Sequence, residues 1–140
     1  MKVFVRSASF LSAGLLVICC CLQTVGQSRK PISWNEVKQT GKGKITVYWR
    51  ESKPFVFRNE NNKLIGIEPE IFEGFKVYLK NYRNIDLEIE WIESESFRKT
   101  FSYISTDKIA GTFGASAFSI TPERDKMVDF SPPYMADICV

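Results

Sequence analysis

Three segments of the chain carry strand-like apolar patterns, and the stretches between them carry helical spacing. Lys44 to Trp49 (KITVYW) is rich in β-branched and aromatic residues and follows Gly41 and Gly43, which predicts a strand. Asp86 to Trp91 alternates, with Leu87, Ile89 and Trp91 on one side and Glu88 and Glu90 on the other. That is the pattern of a half-exposed strand near a sheet edge. Gly111 to Phe118 is small and apolar, suited to a strand buried on both faces. Ile67, Ile71, Phe75, Tyr78 and Leu79 recur at helical spacing, so a long helix is expected from Glu68, with Pro69 in its first turn and these five as its apolar stripe. Phe97, Phe101 and Ile104 form the buried stripe of a second helix, capped by Ser94 or Ser96 and closed over Tyr103 to Lys108. Upstream, Ser33 and Glu36 have capping-box spacing, Ile32 and Val37 have staple spacing, and Gly41 can end a short helix. Asn59 to Lys63 is a polar turn, from which Leu64 to Ile67 returns the chain. Met127 to Phe130 reads as a short strand, Ser131-Pro132-Pro133 as a turn, and Tyr134 to Val140 as the start of another strand. The order βαβαβαβ predicts an α/β fold with an open, mostly parallel sheet flanked by helices. No internal repeat, low-complexity block or linker interrupts it.

Polar chemistry concentrates between Ala117 and Tyr134 (AFSITPERDKMVDFSPPY). Thr121 is a good N-cap, because its hydroxyl accepts from a free backbone N–H one turn on. Pro122 takes the first helical position, where a missing N–H costs nothing. Arg124 lies in that first turn, where a cation opposes the helix macrodipole. A bound anion removes the conflict: free N–H groups, hydroxyls and a guanidinium at a helix start suit a carboxylate or phosphate. The plain alternative is a wet surface on which Arg124 pairs with Glu123, Asp125 or Asp129, and such pairs contribute little. Upstream, Arg50 to Lys53 and then Pro54 to Phe57 leave the C-terminal end of the first strand, the end at which open α/β sheets bind ligands. Glu68 and Glu70, two residues apart on a helix, do not face each other and read as helix-start charges rather than a catalytic pair.

Composition narrows the chemistry. The length of 140 residues allows one small domain or part of a larger one. The net charge of +3 comes from 19 basic and 16 acidic residues. Setting aside Lys2 and Arg6, which lie in an apparent secretory signal, leaves 17 basic residues against 16 acidic, about +1. With no long basic run, nucleic acid is not expected as a partner. In residues 1–26, Lys2 and Arg6 form the basic start and Phe10 to Leu22 an apolar core too short to span a membrane comfortably. Thr24 and Gly26 are the small residues of a cut before Gln27. The mature chain is therefore expected in the periplasm or outside the cell. The alternatives are a retained anchor and a lipoprotein, but Val17-Ile18 before Cys19 lacks the small residue of a lipobox, and Cys20 and Cys21 follow cysteine. Cleavage leaves only Cys139, which permits no intrachain disulfide. The chain has no histidine, which removes Ser-His-Asp and Cys-His catalysis and most zinc sites. No catalytic residue, metal or cofactor is expected.

SITPER followed by VDFSPPY resembles the strongest signature of the type II periplasmic solute-binding proteins, the bacterial extracellular solute-binding family 3. That family binds amino acids and related solutes, and ionotropic glutamate receptors share its ligand-binding fold. Gly66-Ile67-Glu68-Pro69-Glu70 resembles the family's G-F-D-V-D-L run into its first long helix. The resemblance covers about Lys44 to Val140. It implies that Arg124 grips the α-carboxylate of a solute in bidentate fashion, which suits a planar guanidinium. It also implies hydroxyl and backbone contacts from Ser119, and a carbonyl at Ala117 that accepts from an ammonium group. An aromatic residue just after the first strand packs on the solute, and Phe55 is the match; on sequence alone it reads equally as a core phenylalanine. Bacterial amino-acid binders often carry an acidic residue and a tyrosine before the Pro-Phe step, where this chain has Trp49-Arg50-Glu51-Ser52-Lys53. Glu51 is the candidate replacement for the acid. Trp49 either makes the pocket larger and more apolar or fills core. The departure weakens the case for an ordinary polar amino acid.

The residue patterns and the resemblance together predict three segments: a signal over 1–26 and an extension with a short helix over 27–43, both read from the residues, and a partial solute-binding domain over 44–140, implied by the resemblance. In the family, the segment after Tyr134 approaches a hinge strand that crosses to a second lobe, and the solute lies between two lobes that close about that hinge. A chain that stops at Asp137-Ile138-Cys139-Val140 is therefore expected to be the first lobe alone, a fragment, and to bind weakly or not at all by itself. The expected function is to bind an amino acid or similar small carboxylate outside the cytoplasm and present it to a membrane permease for ABC-type uptake. The alternatives are the binding module of a periplasmic enzyme, such as a cell-wall lytic transglycosylase or a dehydratase of cyclic acids, or that of a membrane receptor or channel.

Overall fold

The sheet is built on β1, Lys42–Trp49, whose second half is buried through Ile45, Thr46, Val47 and Trp49. The computed structural model describes residues 33–106 and 109–135. The signal over 1–26, Ile32 of the staple, Lys108 and the final segment 136–140 lie outside the described residues. The described elements run α1 Trp34–Thr40, β1, β2 Phe57–Arg58, β3 Leu64–Ile65, α2 Ile67–Arg83, β4 Asp86–Glu93, α3 Phe97–Thr106, β5 Thr112–Ala115 and α4 Pro122–Asp125.

The expected open parallel sheet is present, with strand order β4-β1-β5 and both pairings parallel. Ile45 stands beside Ile89 and Val47 beside Trp91, so one face collects the apolar side chains of both strands. Phe72 of α2 meets Trp91 edge-on at 5.3 Å on that face. On the other face, Tyr48 stacks on Tyr103 of α3 at 4.7 Å. The core is Val37, Ile45, Val47, Trp49, Val56, Leu79, Ile85, Leu87 and Ala115. β4 lies at an edge, as its alternation required, and its outward Glu88 pairs with Lys44 at 2.8 Å.

Capping chemistry sets the helix ends. The Ser33 hydroxyl accepts from the Glu36 N–H, and Gly41 ends α1 in the left-handed conformation at φ 67°. Ser96 caps α3, accepting from the Lys99 N–H at 3.2 Å. Ser94 is instead buried, its N–H donating to the Trp49 carbonyl at 2.8 Å.

Four expectations change. The α2 stripe is rotated by about one residue: Glu68, Pro69 and Leu79 are buried and Phe72 packs on the core, while Ile71, Phe75 and Tyr78 are exposed. Three strands are too narrow to cover the whole apolar arc. Ile71 and Phe75 overhang the far edge of β5, where Phe113 is also exposed. The stripe of α3 is likewise only partly covered: Thr100 is its fully buried residue, and Phe97 is exposed on a ring cluster with Phe118. β5 spans only Thr112–Ala115, because β1 ends opposite Ala115 and offers no further partner. Met127 to Phe130 is not a strand. The Met127 and Val128 N–H groups both turn back to the Arg124 carbonyl, and among the described residues no strand lies alongside.

Candidate functional site

The C-terminal ends of β1 and β5 lie side by side, and the chain leaves both toward one cleft. From β1, the chain passes through Arg50 to Lys53 into the loop that carries Phe55. That loop is seated on the start of α2: the Ile67 N–H donates to the Pro54 carbonyl at 3.4 Å and the Glu68 N–H to the Phe55 carbonyl at 3.0 Å. Gly66, at φ 126°, makes this possible, since a Cβ there would collide with the Phe55 carbonyl. From β5, the buried Ser116 donates its hydroxyl to the Arg50 carbonyl at 3.0 Å. Ala117 then turns through φ 51°, a left-handed conformation uncommon for a residue with a Cβ.

These segments enclose a cleft of about 290 Å³, walled by Phe55, Ala117, Phe118, Ser119, Ile120, Phe130 and Tyr134 among others. The Phe55 ring lies 6.5 Å from that of Tyr134. Beyond Ser119, Thr121 caps α4 as expected, its hydroxyl accepting from the Arg124 N–H at 3.3 Å. α4 itself is a single turn, so its dipole adds little and recognition of an anion there rests on Arg124 and the local N–H groups. Arg124 Nη1 donates to the Ser119 carbonyl at 3.0 Å, and its guanidinium lies over the rings of Phe97 at 5.3 Å and Phe101 at 5.7 Å. No carboxylate of the described residues pairs with it. Hydrogen bonds from its own N–H and from Thr121 hold the Glu123 carboxyl below the usual range.

The structure thus brings Phe55, Ala117 and Ser119 together around one cavity, with Arg124 held against the Ser119 carbonyl just beyond its lining. It places the other two candidates elsewhere. Trp49 is 1% exposed in the core, with the Arg58 guanidinium 5.2 Å above its ring. Glu51 is on the surface, 3.8 Å from Lys53.

Two residues of the site escaped the sequence reading. Glu68 is no solvated helix-start charge: it is buried, its Oε1 accepting from the Ala117 N–H at 2.9 Å and from the Tyr134 hydroxyl at 2.8 Å. Glu70, beside it, is exposed as expected. Burial pushes the Glu68 carboxyl above the usual range, against the Ala117 and Tyr134 hydrogen bonds and the nearby Ser116 backbone, which pull it down. Burial and the neighbouring carboxylate together push the Tyr134 phenol up. Two sequence signals touched Glu68, the match of Gly66 to Glu70 to the family's G-F-D-V-D-L run and the proline after it, and both mark a helix start without its burial.

A carboxyl with a raised native pKa binds its proton more tightly folded than unfolded. Its contribution to stability therefore declines as pH rises from about 4.5 through the raised native value. Glu68→Gln removes that titration. Thermal unfolding across about pH 4 to 8 is expected to show the glutamine variant gaining on the wild type as pH rises. Parallel curves over the whole range would refute a destabilising charge at Glu68.

Comparison with known proteins bears on the family and the fold. The family model for bacterial extracellular solute-binding proteins, family 3, matches residues 45–140. The fold is similar to a solved ancestral amino acid-binding protein, described as a precursor of cyclohexadienyl dehydratase. The two are 27% identical with a TM-score of 0.53, over 72% of this chain and 40% of that one. An ancestral cyclohexadienyl dehydratase is similar in fold, at 24% identity and a TM-score of 0.50, over 72% of this chain and 38% of the other. The chain thus spans about two-fifths of the length of each. No curated protein matches it.

Proposed function

Since the chain belongs to the bacterial extracellular solute-binding proteins of family 3, we propose that its cleft receives an amino acid or similar small carboxylate outside the cytoplasm, for delivery to a membrane permease. The observation that carries this reading is Arg124. Its guanidinium is held by the Ser119 carbonyl and two rings beside an apolar cleft, and no described carboxylate neutralises it. A planar fork held in this way suits a carboxylate taken in by two parallel hydrogen bonds. The Ser119 hydroxyl can donate to the same carboxylate, the Ala117 carbonyl can accept from an ammonium group, and Phe55 can cover the apolar part. A cleft of about 290 Å³ is of the size an amino acid needs. Trp49, in the core, and Glu51, on the surface, are not part of this reading beyond preceding the loop that carries Phe55. The role is binding rather than catalysis.

Calorimetric titration of the protein, expressed from its complete reading frame, with each of the twenty proteinogenic L-amino acids tests the proposal. At least one is expected to bind with a Kd of about 1 μM, near 8 kcal/mol. No measurable binding by any of them up to about 1 mM would overturn it.

A further inference from the structure

The start of α2 holds every segment that walls the cleft, and Glu68 makes most of the attachments. Its N–H donates to the Phe55 carbonyl, which seats one wall. Its side chain reaches the opposite way, and Oε1 takes both the Ala117 N–H and the Tyr134 hydroxyl, which seats the other two. Glu68 is 7% exposed, and Oε2 has no hydrogen-bond partner among the described residues. No described cation pairs with it either. A buried carboxylate without a cation is a poor choice for stability, since an apolar or amide side chain fills the same space without desolvating a charge. What the carboxylate supplies is an acceptor that takes two donors at one oxygen. One of those donors belongs to Ala117, whose left-handed backbone has to be held by its surroundings.

We propose that Glu68 is a positioning residue of the solute site, whose Oε1 fixes the Ala117–Ser119 loop and the Tyr134 segment in one arrangement relative to Phe55. The proposal rests on the cleft being the solute site, as argued above. It assigns Glu68 no contact with the solute: Glu68 is not among the residues that wall the cleft.

The test reads the loop without any ligand. Amide hydrogen exchange in the full chain, followed by NMR, is expected to be about tenfold faster at Ala117 in Glu68→Ala, while Val47 in β1 keeps its wild-type rate. Glu68→Gln retains an Oε1 acceptor and is expected to keep Ala117 within about threefold of wild type. Glu68→Asp keeps the charge but withdraws the oxygen by one methylene, and is expected to behave like alanine. It carries the test if Glu68→Ala does not fold. Exchange at Ala117 that is unchanged in the alanine and aspartate variants overturns the proposal, and so does acceleration shared equally by Val47. The second readout is the Kd of whichever amino acid binds in the titrations above, expected to weaken about tenfold in Glu68→Ala and to recover in Glu68→Gln. If no amino acid binds the wild type, the solute reading fails, while the exchange rates still decide whether Glu68 holds the loop.

Discussion

Trp49→Ala is expected to destabilise the protein by about 3–5 kcal/mol and to leave solute affinity in the folded protein nearly unchanged. Trp49 is the largest fully buried side chain described. It lies in the central strand, opposite Glu93 of β4 and Ala115 of β5, with Arg58 covering its outer side. Truncation removes most of the packing at the end of the sheet, and the backbone of three paired strands cannot collapse into the space. A domain of this size has about 5–15 kcal/mol in all, so the alanine variant comes close to unfolding at moderate temperature. The indole Nε1 has no hydrogen-bond partner among the described residues, so the residue is held for its volume and not for its polar handle. Trp49→Phe, which keeps most of the volume and removes that N–H, is therefore expected to lose less than about 2 kcal/mol. Urea unfolding of both variants, paired with titration of the wild-type ligand under folding conditions, separates this from a pocket role. A Trp49→Ala protein of near wild-type stability with much weaker binding would place the indole in the solute site after all.

What the chain's pattern could reveal depends on how local the determining physics is. The strands and helix caps were legible because each rests on a few neighbouring residues: alternation from Asp86 to Trp91, Ser33 three residues before Glu36, Thr121 before Pro122. The meeting of Phe55, Ala117 and Ser119 was implied by the resemblance, and the fold supplies its physical reason: β1 and β5 are parallel neighbours, so the loops leaving their C-terminal ends open at the same edge. The misreadings concern partners rather than patterns. Ile71, Phe75 and Tyr78 have helical spacing, yet which side of α2 meets the sheet depends on how far the sheet extends beyond β5. Met127 to Phe130 has strand composition, and a strand needs a neighbour to pair with. Glu68 is the instructive case. By its position it is a helix-start carboxylate like Glu70, and only the arrival of Ala117 and Tyr134 from 49 and 66 residues away converts it into a buried acceptor.

Removing Arg124 is the change that should weaken solute binding most. Its guanidinium is oriented before any ligand arrives: one N–H is spent on the Ser119 carbonyl, and the rings of Phe97 and Phe101 hold the plane. Preorganisation of this kind spares a ligand the entropy of ordering a long side chain. Arg124→Ala deletes the partner of a charge-assisted pair in a partly desolvated cleft, and is expected to cost about 2–5 kcal/mol of binding, at least about thirtyfold in Kd. Arg124→Lys keeps a charge but neither the fork nor the flat surface that stacks on the rings, so its affinity is expected to fall between alanine and wild type. Stability should move by less than about 1 kcal/mol in either variant, because Arg124 is only half-buried and pairs with no described carboxylate. The identity of the group it grips follows from a cycle with the bound amino acid and its methyl ester. Wild type is expected to bind the ester far more weakly than the acid, whereas Arg124→Ala should bind the two alike, since the charge that distinguishes them has gone. Equal discrimination against the ester in both proteins would show that some other group holds the carboxylate, and undiminished binding by Arg124→Ala would remove Arg124 from the site altogether.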